Sequence, residues 1–555
     1  MHIVLARVQG VVRATSFGDS GAVIGVEQVD DLAAFVVARE TGHPRWVWDD
    51  TSRWYAPLLA AGVRVDRCFD LRLCHAILRS SSLTSDSRLA RSRRGLWDAP
   101  APAAGPVAAA PSHSALFEWD QVAAPAPSVE SDPVAEFELQ RSAVAGCPEP
   151  SRLGRLLAAE SVGALIAAEM RFAGLPWSAG RHDAILSASL GPRPAVDGAR
   201  PAKLQAVLDI VRQRLESPEL NPDSPADLLR ALGLAGLMVT STRSWELATL
   251  KHPAIPPLLE YKKLSRLLSS NGWAWLDNWV AGGRFRPDYV PGGAATGRWA
   301  TSGGGALQLP KNIRGAVVAD EGWKLVVADA SQLEPRILAA MAVDRGMIEA
   351  GSAGDLYAGI VASGALETRD QAKVAMLGAM YGATTGEGGR LMPALTRAYP
   401  RAIGMVENAA RAGERGEVVT TRLGRSSPPG HDSGTWNETV SSAEAARARD
   451  RGRAWGRFTR NFIVQGTAAE WALCWMGSIR RRLHELNDAG ALVDGPHLVF
   501  FLHDEVVVHA PADLAVQVAG VISDAAVDAG RLLFGQLPAQ FPVTIAIVDN
   551  YGQAK

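Results

Sequence analysis

The chain has 555 residues, 47% of them hydrophobic and 21% charged, which is enough for about three or four domains with sizeable cores. Its net charge of −1 gives no overall sign of a nucleic-acid partner, and no run of about twenty apolar residues predicts a membrane span. The N-terminus lacks the pattern of a secretory signal. Because the four scattered cysteines have neither CxxC nor Cys/His spacing, we expect a reducing cytoplasm and no structural zinc.

The character of the sequence changes along the chain. Residues 1–81 read as a small α/β unit, and residues 82–130 are rich in Ser, Ala and Pro, which predicts a flexible linker. Residues 131–200 and 201–290 carry apolar residues at helical spacing. From residue 291 onward, strand and helix patterns mix.

Residues 323–342, WKLVVADASQLEPRILAAMA, change period midway. KLVVAD predicts an apolar strand that ends in Asp329. LEPRILAAMA predicts a helix with Pro335 in its first turn, where proline is tolerated. An aspartate that closes a buried strand is well placed to hold a cation. A helix N-cap near Ser331 is the alternative, but it leaves a second acidic strand unexplained.

Residues 368–382, TRDQAKVAMLGAMYG, predict a helix with a mixed stripe. Arg369, Lys373, Leu377 and Tyr381 follow at four-residue steps, and each step drifts back by only about 40°, so their side chains form one line. Two cations, an apolar side chain and a tyrosine over three turns suit a triphosphate at one end and a base at the other. Lys373 is one of only eight lysines, and a lysine can give up a proton that an arginine keeps.

Residues 446–460, ARARDRGRAWGRFTR, are rich in arginine. Such a stretch is typical either of a solvated helix face or of a helix that follows the phosphates of a nucleic acid. The composition leaves both interpretations open.

Residues 497–511, HLVFFLHDEVVVHAP, predict a hairpin, with His503 and Asp504 between two strand runs. A carboxylate in apolar surroundings costs several kcal/mol unless something pairs with it. Asp504 and Asp329 at neighbouring strand ends could hold two magnesium ions about 4 Å apart, the arrangement used in phosphoryl transfer. A structural hairpin is the alternative for this stretch by itself.

In this order, the motifs of residues 150–555 resemble those of the family A DNA polymerases. DASQLEPR is similar to the family's DYSQIELR, and HDE is similar to its second acidic motif. The resemblance implies that Asp329 and Asp504 are metal ligands and that Glu505 lies beside them. It also implies that Glu334 excludes a ribose 2′-hydroxyl.

The same resemblance identifies residues 369–381 with the helix that binds the incoming nucleotide. Arg369 and Lys373 would contact its phosphates, Lys373 would donate a proton to pyrophosphate, and Tyr381 would lie at the templating position. Leu377 stands where the family has phenylalanine or tyrosine, and Tyr357 stands where a histidine often assists the phosphates. Further motifs imply DNA contacts for Arg298, Arg314, Arg457, Asn461, Gln465 and His503.

Residues 29–81 resemble a shortened form of the family's 3′–5′ exonuclease domain. Its plausible acids are Asp49, Asp50 and Asp70, but the family's Asp-x-Glu strand and Tyr-x-x-x-Asp helix are absent from the sequence. Two-metal hydrolysis needs both cations held, so we expect a degenerate domain.

The resemblance therefore implies an α/β multidomain fold: a right-hand polymerase, with an antiparallel palm sheet and helical thumb and fingers, behind a small α/β exonuclease-like domain. The expected boundaries are 1–81 for the degenerate exonuclease-like domain, 82–130 for the linker, 131–200 for a helical connection, 201–290 for the thumb, 291–345 and 441–555 for the palm, and 346–440 for the fingers.

The expected function is addition of dNTPs to the primer strand of a primer-template DNA with two Mg²⁺ ions, in repair or replication. We expect a monomer in the cytoplasm, at the nucleoid, without membrane contact. One alternative is a single-subunit RNA polymerase, against which Glu334 argues. Others are a retained 3′–5′ exonuclease activity and a catalytically weak DNA-binding relative, the latter disfavoured by the intact set of acids and cations.

Overall fold

The computed structural model describes residues 1–99, 132–196, 198–382, 386–430, 442–487 and 490–554. Tertiary contacts divide the chain into two compact units. The larger unit comprises Met1–Gly174, Pro287–Leu307 and Glu321–Val548, and the smaller comprises Leu175–Arg286, Gln308–Asp320 and Asp549–Lys555. None of the helices in the described ranges combines the length and apolar character that crossing a lipid bilayer requires.

A five-stranded mixed sheet begins the larger unit, in the order β3-β2-β1-β4-β5. Strands β1 to β3 pair antiparallel, whereas β4 and β5 continue the sheet in parallel with β1. The strands are β1 His2–Val8, β2 Val11–Phe17, β3 Val23–Val29, β4 Arg45–Trp48 and β5 Cys68–Asp70. The helices of this region are α1 Leu32–Glu40, α2 Thr51–Ala60, α3 Leu71–Ser80, α4 Arg88–Arg91 and α5 Pro133–Ala145.

Part of residues 82–99, predicted as the start of a flexible linker, is instead anchored to the fold. Leu89 of α4 is fully buried, and the backbone N–H of Ser82 donates to Ser426 Oγ at 2.9 Å. The Ser/Ala/Pro composition of the stretch as a whole conceals these few anchoring residues. Residues 100–130 of the predicted linker lie outside the described residues.

Helix α5 belongs with the N-terminal sheet rather than with a connection to the following region. Its Phe137 packs in one core with Val4, Phe17, Val47 and Leu71. The helical spacing of the sequence predicts the helix correctly but says nothing of its partner.

Helix α6, Pro150–Ala173, is buried along most of its length. Its Glu169 pairs with Arg480 at 2.8 Å and accepts a hydrogen bond from Tyr55 of α2 at 2.6 Å. Arg480 also donates to the carbonyl of Val65. These buried contacts join the N-terminal sheet to the rest of the larger unit.

The smaller unit is mainly helical. Its core contains Leu208, Val211, Leu228 and Leu258, which come from three different helices. Its elements are β6 Leu175–Pro176, α7 Ala179–Leu190, α8 Ala202–Arg214, α9 Pro225–Leu234, α10 Ser244–Leu247, α11 Ile255–Asn271, α12 Trp273–Trp279, β7 Val280–Ala281 and β8 Arg284–Phe285.

Back in the larger unit, short strands β9 Asp288–Val290 and β10 Ala300–Gly303 pair with each other. Strand β11, Trp323–Ala330, and helix α13, Leu333–Ala342, then follow as the change of period predicts. A helical region comes next, with α14 Arg345–Ala350, α15 Leu356–Ala362, α16 Arg369–Tyr381, α17 Gly386–Ala398, α18 Pro400–Glu414 and the long α19 Ser442–Glu485.

A four-stranded antiparallel sheet holds β11 in its interior, in the order β12-β13-β11-β14. The remaining elements are β12 His497–Leu502, β13 Glu505–Pro511, α20 Ala515–Phe534 and β14 Val543–Val548. Every residue of β12 and all but the last of β13 are buried. The two apolar runs therefore form the predicted hairpin because both faces of the sheet are covered.

Candidate active site

Two aspartates lie at one end of the four-stranded sheet. Asp329 is next to last in β11, and Asp504 lies in the two-residue turn between β12 and β13. The backbone N–H of Ala330 donates to the carbonyl of Asp504 at 2.9 Å, and Asp329 pairs in register with Glu505. Side chains of directly paired residues share a face of the sheet. Asp329 and Glu505 therefore share a face of the sheet, and the backbone hydrogen bond keeps the turn that carries Asp504 next to the end of β11.

The turn that carries Asp504 is under local backbone constraint. His503 has a left-handed conformation with φ 60°, which costs a residue other than glycine about 1–2 kcal/mol. Such strain persists only where the surrounding structure fixes it, here the two buried strands on either side. The turn therefore presents His503 and Asp504 at a fixed position.

Both ends of helix α16 are explained by capping residues in the sequence. Thr368 caps its first turn in a capping box with Gln371, and Gly382 ends it in a left-handed conformation with φ 77°. Ala372, Ala375, Met376 and Ala379 are fully buried. The opposite face exposes the predicted stripe of Arg369, Lys373, Leu377 and Tyr381.

Glu334, in the first turn of α13, joins that stripe to the acidic end of the sheet. Its carboxylate pairs with Arg298 and accepts a hydrogen bond from the hydroxyl of Tyr381 at 2.7 Å. Gln465 of α19 donates to the same hydroxyl at 3.4 Å. Burial first, and then the neighbouring Glu334, raise the pKa of Tyr381. Four predicted site residues from four segments thus meet in one network.

Arg369 has a partner that the sequence analysis missed. Its Nε donates to Asp355 Oδ2 at 2.8 Å, and its guanidinium lies 5.6 Å from the ring centroid of Tyr357. Asp355 also caps α15 by accepting from Ala358 N at 3.1 Å. The motif GDLY contains this acid two residues before Tyr357, and that cap position was the available signal.

Helix α19 presents Arg457, Asn461 and Gln465 at four-residue steps along one face. Arg457 is exposed and packs beside Gly382, where an added Cβ would lie 2.9 Å from its Cγ. Arg460 behaves differently from the exposed arginines of residues 447–457. It is buried and donates to Glu407 at 2.6 Å, so it supports the fold rather than a nucleic-acid contact.

A pocket of about 250 Å³ opens at this end of the sheet. Its polar lining consists of four residues that the sequence analysis singled out, Arg298, Glu334, His503 and Asp504. Its apolar lining comes mainly from Trp299, Leu333, Phe501 and α19. Glu334 and Asp504 therefore face a cavity with a partly apolar wall rather than a flat surface.

A sequence model of DNA polymerase family A matches residues 204–553, well over half of the chain. This chain belongs to DNA polymerase family A. The thermostable DNA polymerase I of Thermus thermophilus is 27% identical to it over 344 residues, which cover 56% of this chain and 38% of the relative. DNA polymerase I of Chloroflexus aurantiacus is 28% identical over 333 residues, covering 55% and 33%. The chain thus matches less than two fifths of the length of these curated relatives.

The fold of this family A chain is similar to that of a solved polymerase domain. The POL domain of Pol1 from M. smegmatis, in complex with DNA primer-template and dNTP, superposes with a TM-score of 0.68 at 18% sequence identity. The match covers 100% of this chain and 95% of that one. The mixed α/β multidomain fold predicted from the sequence is therefore confirmed.

Arg314 of the family A chain lies in the smaller unit. It is 8% exposed, and its guanidinium lies 4.5 Å from the ring centroid of Tyr551. A side chain so deeply packed contributes to the core of its own unit. Its predicted contact with primer or nucleotide stays a prediction.

The acids of the N-terminal sheet are occupied by structural bonds. Asp50 caps α2 through Ser52 N, Asp70 caps α3 through Leu73 N, and Asp49 accepts from Arg53 and Trp54. Asp70 accepts two further hydrogen bonds from Thr51. Burial first, and then the nearby Asp50 carboxylate, raise the pKa of Asp70 to about 7. Each carboxylate therefore has a role in starting or fixing a helix.

The half-buried pair Asp329 and Asp504 fits magnesium better. Mg²⁺ is usually held by one or two carboxylates together with substrate phosphates and water. Two carboxylates at one end of the sheet, of which Asp504 also lines the pocket, match that donor set. Across the described ranges, no group of three or more His, Cys, Asp or Glu side chains has a metal-binding arrangement.

Proposed function

We propose that this chain is a template-directed DNA polymerase that adds dNTPs to a primer 3′-hydroxyl. The observation that carries the proposal is the Tyr381–Glu334 hydrogen bond of 2.7 Å, because it joins the cationic stripe of α16 to the helix that follows Asp329. A nucleotide held by that stripe would have its phosphates directed toward the carboxylates. Membership of DNA polymerase family A leads to the same expectation of template-directed DNA synthesis.

Asp329 and Asp504 would hold two Mg²⁺ ions, with Glu505 beside them. When bound, the ions stabilise charge on the attacking and leaving oxygens. Lys373 would donate a proton to the leaving pyrophosphate, a role that suits lysine because its ammonium can deprotonate. Arg369 would bind the phosphates through charge-assisted hydrogen bonds.

The remaining residues would select and position the substrates. Glu334 would exclude a ribose 2′-hydroxyl, Leu377 would contact the sugar and base, and Tyr381 would mark the templating position. DNA contacts would come from Arg298, Arg314, Arg457, Asn461, Gln465 and His503. Residues 291–345 and 441–555 would form the palm, 346–440 the fingers and 201–290 the thumb.

Primer extension by the purified chain tests the proposal. Asp329→Asn and Asp504→Asn should each lower dNTP incorporation by roughly a thousandfold or more, since several kcal/mol of charge stabilisation depends on the ions. Binding of primer-template should persist, because Arg298 and Arg457 are untouched.

Asp513→Asn is the matched control, since this exposed aspartate follows the far end of the same hairpin. It should extend primers like the wild type, and activity should require Mg²⁺ and prefer dNTPs to rNTPs. Near-normal extension by either active-site variant would refute the metal assignment. Preference for rNTPs would favour an RNA polymerase instead. We further propose a role in replication or repair, as a monomer at the nucleoid.

A further inference from the structure

Arg369 is held on two sides in a way that leaves part of its guanidinium open. Asp355 accepts from its Nε at 2.8 Å, and the Tyr357 ring lies 5.6 Å from the guanidinium. Within the described residues, neither terminal amino group of Arg369 has a hydrogen-bond partner. The side chain of Arg369 remains 53% exposed. The Nε of the guanidinium is thus occupied, whereas its two terminal amino groups are available for a ligand.

Asp355 is itself fixed from the side of the acidic sheet end. Gln332, three residues after Asp329, donates from Nε2 to Asp355 Oδ1 at 2.8 Å. Its Oε1 accepts from Leu356 N at 2.8 Å, so both ends of its amide are used. Gln332 adopts a left-handed backbone conformation with φ 55°, a constraint of the kind that clusters at functional sites.

The support behind Gln332 is also rigid. Arg336 is 3% exposed and donates to the carbonyls of Ser331, Gly351 and Gln540 at 3.1, 2.9 and 3.1 Å. A continuous series of contacts therefore runs from the strand of Asp329 through Gln332 and Asp355 to Arg369.

The charge state of Asp355 agrees with a lasting ion pair. Partial burial raises its pKa, but hydrogen bonds from Ala358 N, Arg369 and Gln332 outweigh this and lower the pKa to about 2. With its pKa lowered, the Asp355 carboxylate is ionised at neutral pH and can accept the hydrogen bond from Arg369 as an anion.

We propose that Asp355 is a positioning residue that orients Arg369, with Gln332 as its support, so that the terminal amino groups of Arg369 are ready for the triphosphate. Long side chains lose rotamer freedom when they bind, and fixing one beforehand removes that cost from binding. The inference rests on the proposed function, because it assumes that Arg369 binds nucleotide phosphates. Asp355 does not contact the substrate.

The same ion pair could instead compete with the nucleotide for Arg369, and this alternative predicts the opposite change in nucleotide affinity when Asp355 is replaced. If Asp355 withheld Arg369 from the triphosphate, removing its charge would tighten nucleotide binding. If Asp355 instead orients Arg369, removing its charge should weaken nucleotide binding. The unused terminal amino groups favour orientation, because Arg369 can bind a phosphate without leaving Asp355.

Equilibrium binding of Mg²⁺·dATP to the full chain, on a primer-template whose primer ends in a dideoxynucleotide, tests this without turnover. Asp355→Asn keeps the oxygen that caps α15 but loses the charge. Its Kd for dATP should rise about tenfold, the size expected for one immobilised side chain. Asp355→Glu should restore most of the affinity. Asp344→Asn is the matched control, since this aspartate caps neighbouring α14 and accepts from Met347 N and Ala402 N; its Kd should be unchanged.

The decisive comparison repeats Asp355→Asn in a chain that also carries Arg369→Lys, because lysine keeps the positive charge but has no Nε–H to donate to Asp355. There, Asp355→Asn should change the Kd less than twofold. An equal effect in both backgrounds, or tighter binding by Asp355→Asn, would overturn the inference. Failure of the wild type to extend a normal primer would instead contradict the proposed function, since the binding comparison does not depend on turnover.

Discussion

Glu334 is the residue on which the contacts of the site converge. Removing its side chain in Glu334→Ala should open space at the sugar 2′ position and release Tyr381. We expect discrimination against ribonucleotides to fall by about 10- to 100-fold, the range of a contact worth about 1–3 kcal/mol. Single-nucleotide incorporation with dATP and ATP measures the ratio.

Glu334→Gln separates volume from charge in that experiment. Glutamine has the same size and can still accept from Tyr381, so ribonucleotides should remain excluded. Equal loss of selectivity in both variants would show that the Arg298 ion pair, rather than bulk, sets the sugar preference.

At the same scale, the contacts of Asp355 and Gln332 show where sequence reasoning ends: a helix cap at Asp355 has a local signal, but its pairing with Arg369 and Gln332 has none. Both lie within three residues of positions with a different predicted role, Gln332 near Asp329 and Asp355 near Tyr357. Their roles depend on contacts between three segments, and no local periodicity records a contact between segments. Asp329, Asp504 and the stripe of α16 were predictable because each follows from a strand end or a helical repeat.

Helix α16 is the element in which local signals were sufficient. A capping box, a buried alanine and methionine face and a terminal glycine agree on residues 369–381. The strands of the hairpin were equally clear, because their apolar runs are continuous. The place of helix α5 beside the N-terminal sheet differs from the predicted helical connection, since an amphipathic pattern predicts a buried face but not what covers it.

A prediction at this scale concerns the apolar position of the stripe. Leu377 is 38% exposed on α16, between Lys373 and Tyr381. Leu377→Phe should increase incorporation of dideoxynucleotides by about tenfold, because a ring beside the sugar replaces part of the contact made by the 3′-hydroxyl.

The measurement is competition between dTTP and ddTTP at a single template position. Leu377→Met, which changes shape but adds no ring, is the control and should behave like the wild type. If the phenylalanine variant shows the same ratio as the methionine variant, the side chain at 377 does not face the nucleotide sugar.

At the scale of the whole molecule, the N-terminal sheet is joined to the rest of the larger unit by the buried Glu169–Arg480 pair. Its three acids accept structural hydrogen bonds from helix residues. We therefore expect no removal of a 3′-terminal mismatch by the purified chain in Mg²⁺, because three carboxylates engaged in structural bonds cannot hold two cations. Incubation with a mismatched primer and no dNTPs checks this. Degradation that is abolished by Asp49→Ala but survives Asp504→Asn would reveal a working exonuclease.

The interior position of β11 has a consequence for how the molecule is made. Its two neighbours in the sheet, β13 and β14, come from residues 505–511 and 543–548. At a synthesis rate of about 5–20 residues per second, the ribosome adds the intervening roughly 200 residues in about 10–40 s. For most of that interval the strand bearing Asp329 has neither partner, and an unpaired apolar strand is prone to pair with other chains. We therefore expect this strand to need shielding from other chains during translation, until β13 and β14 are in place.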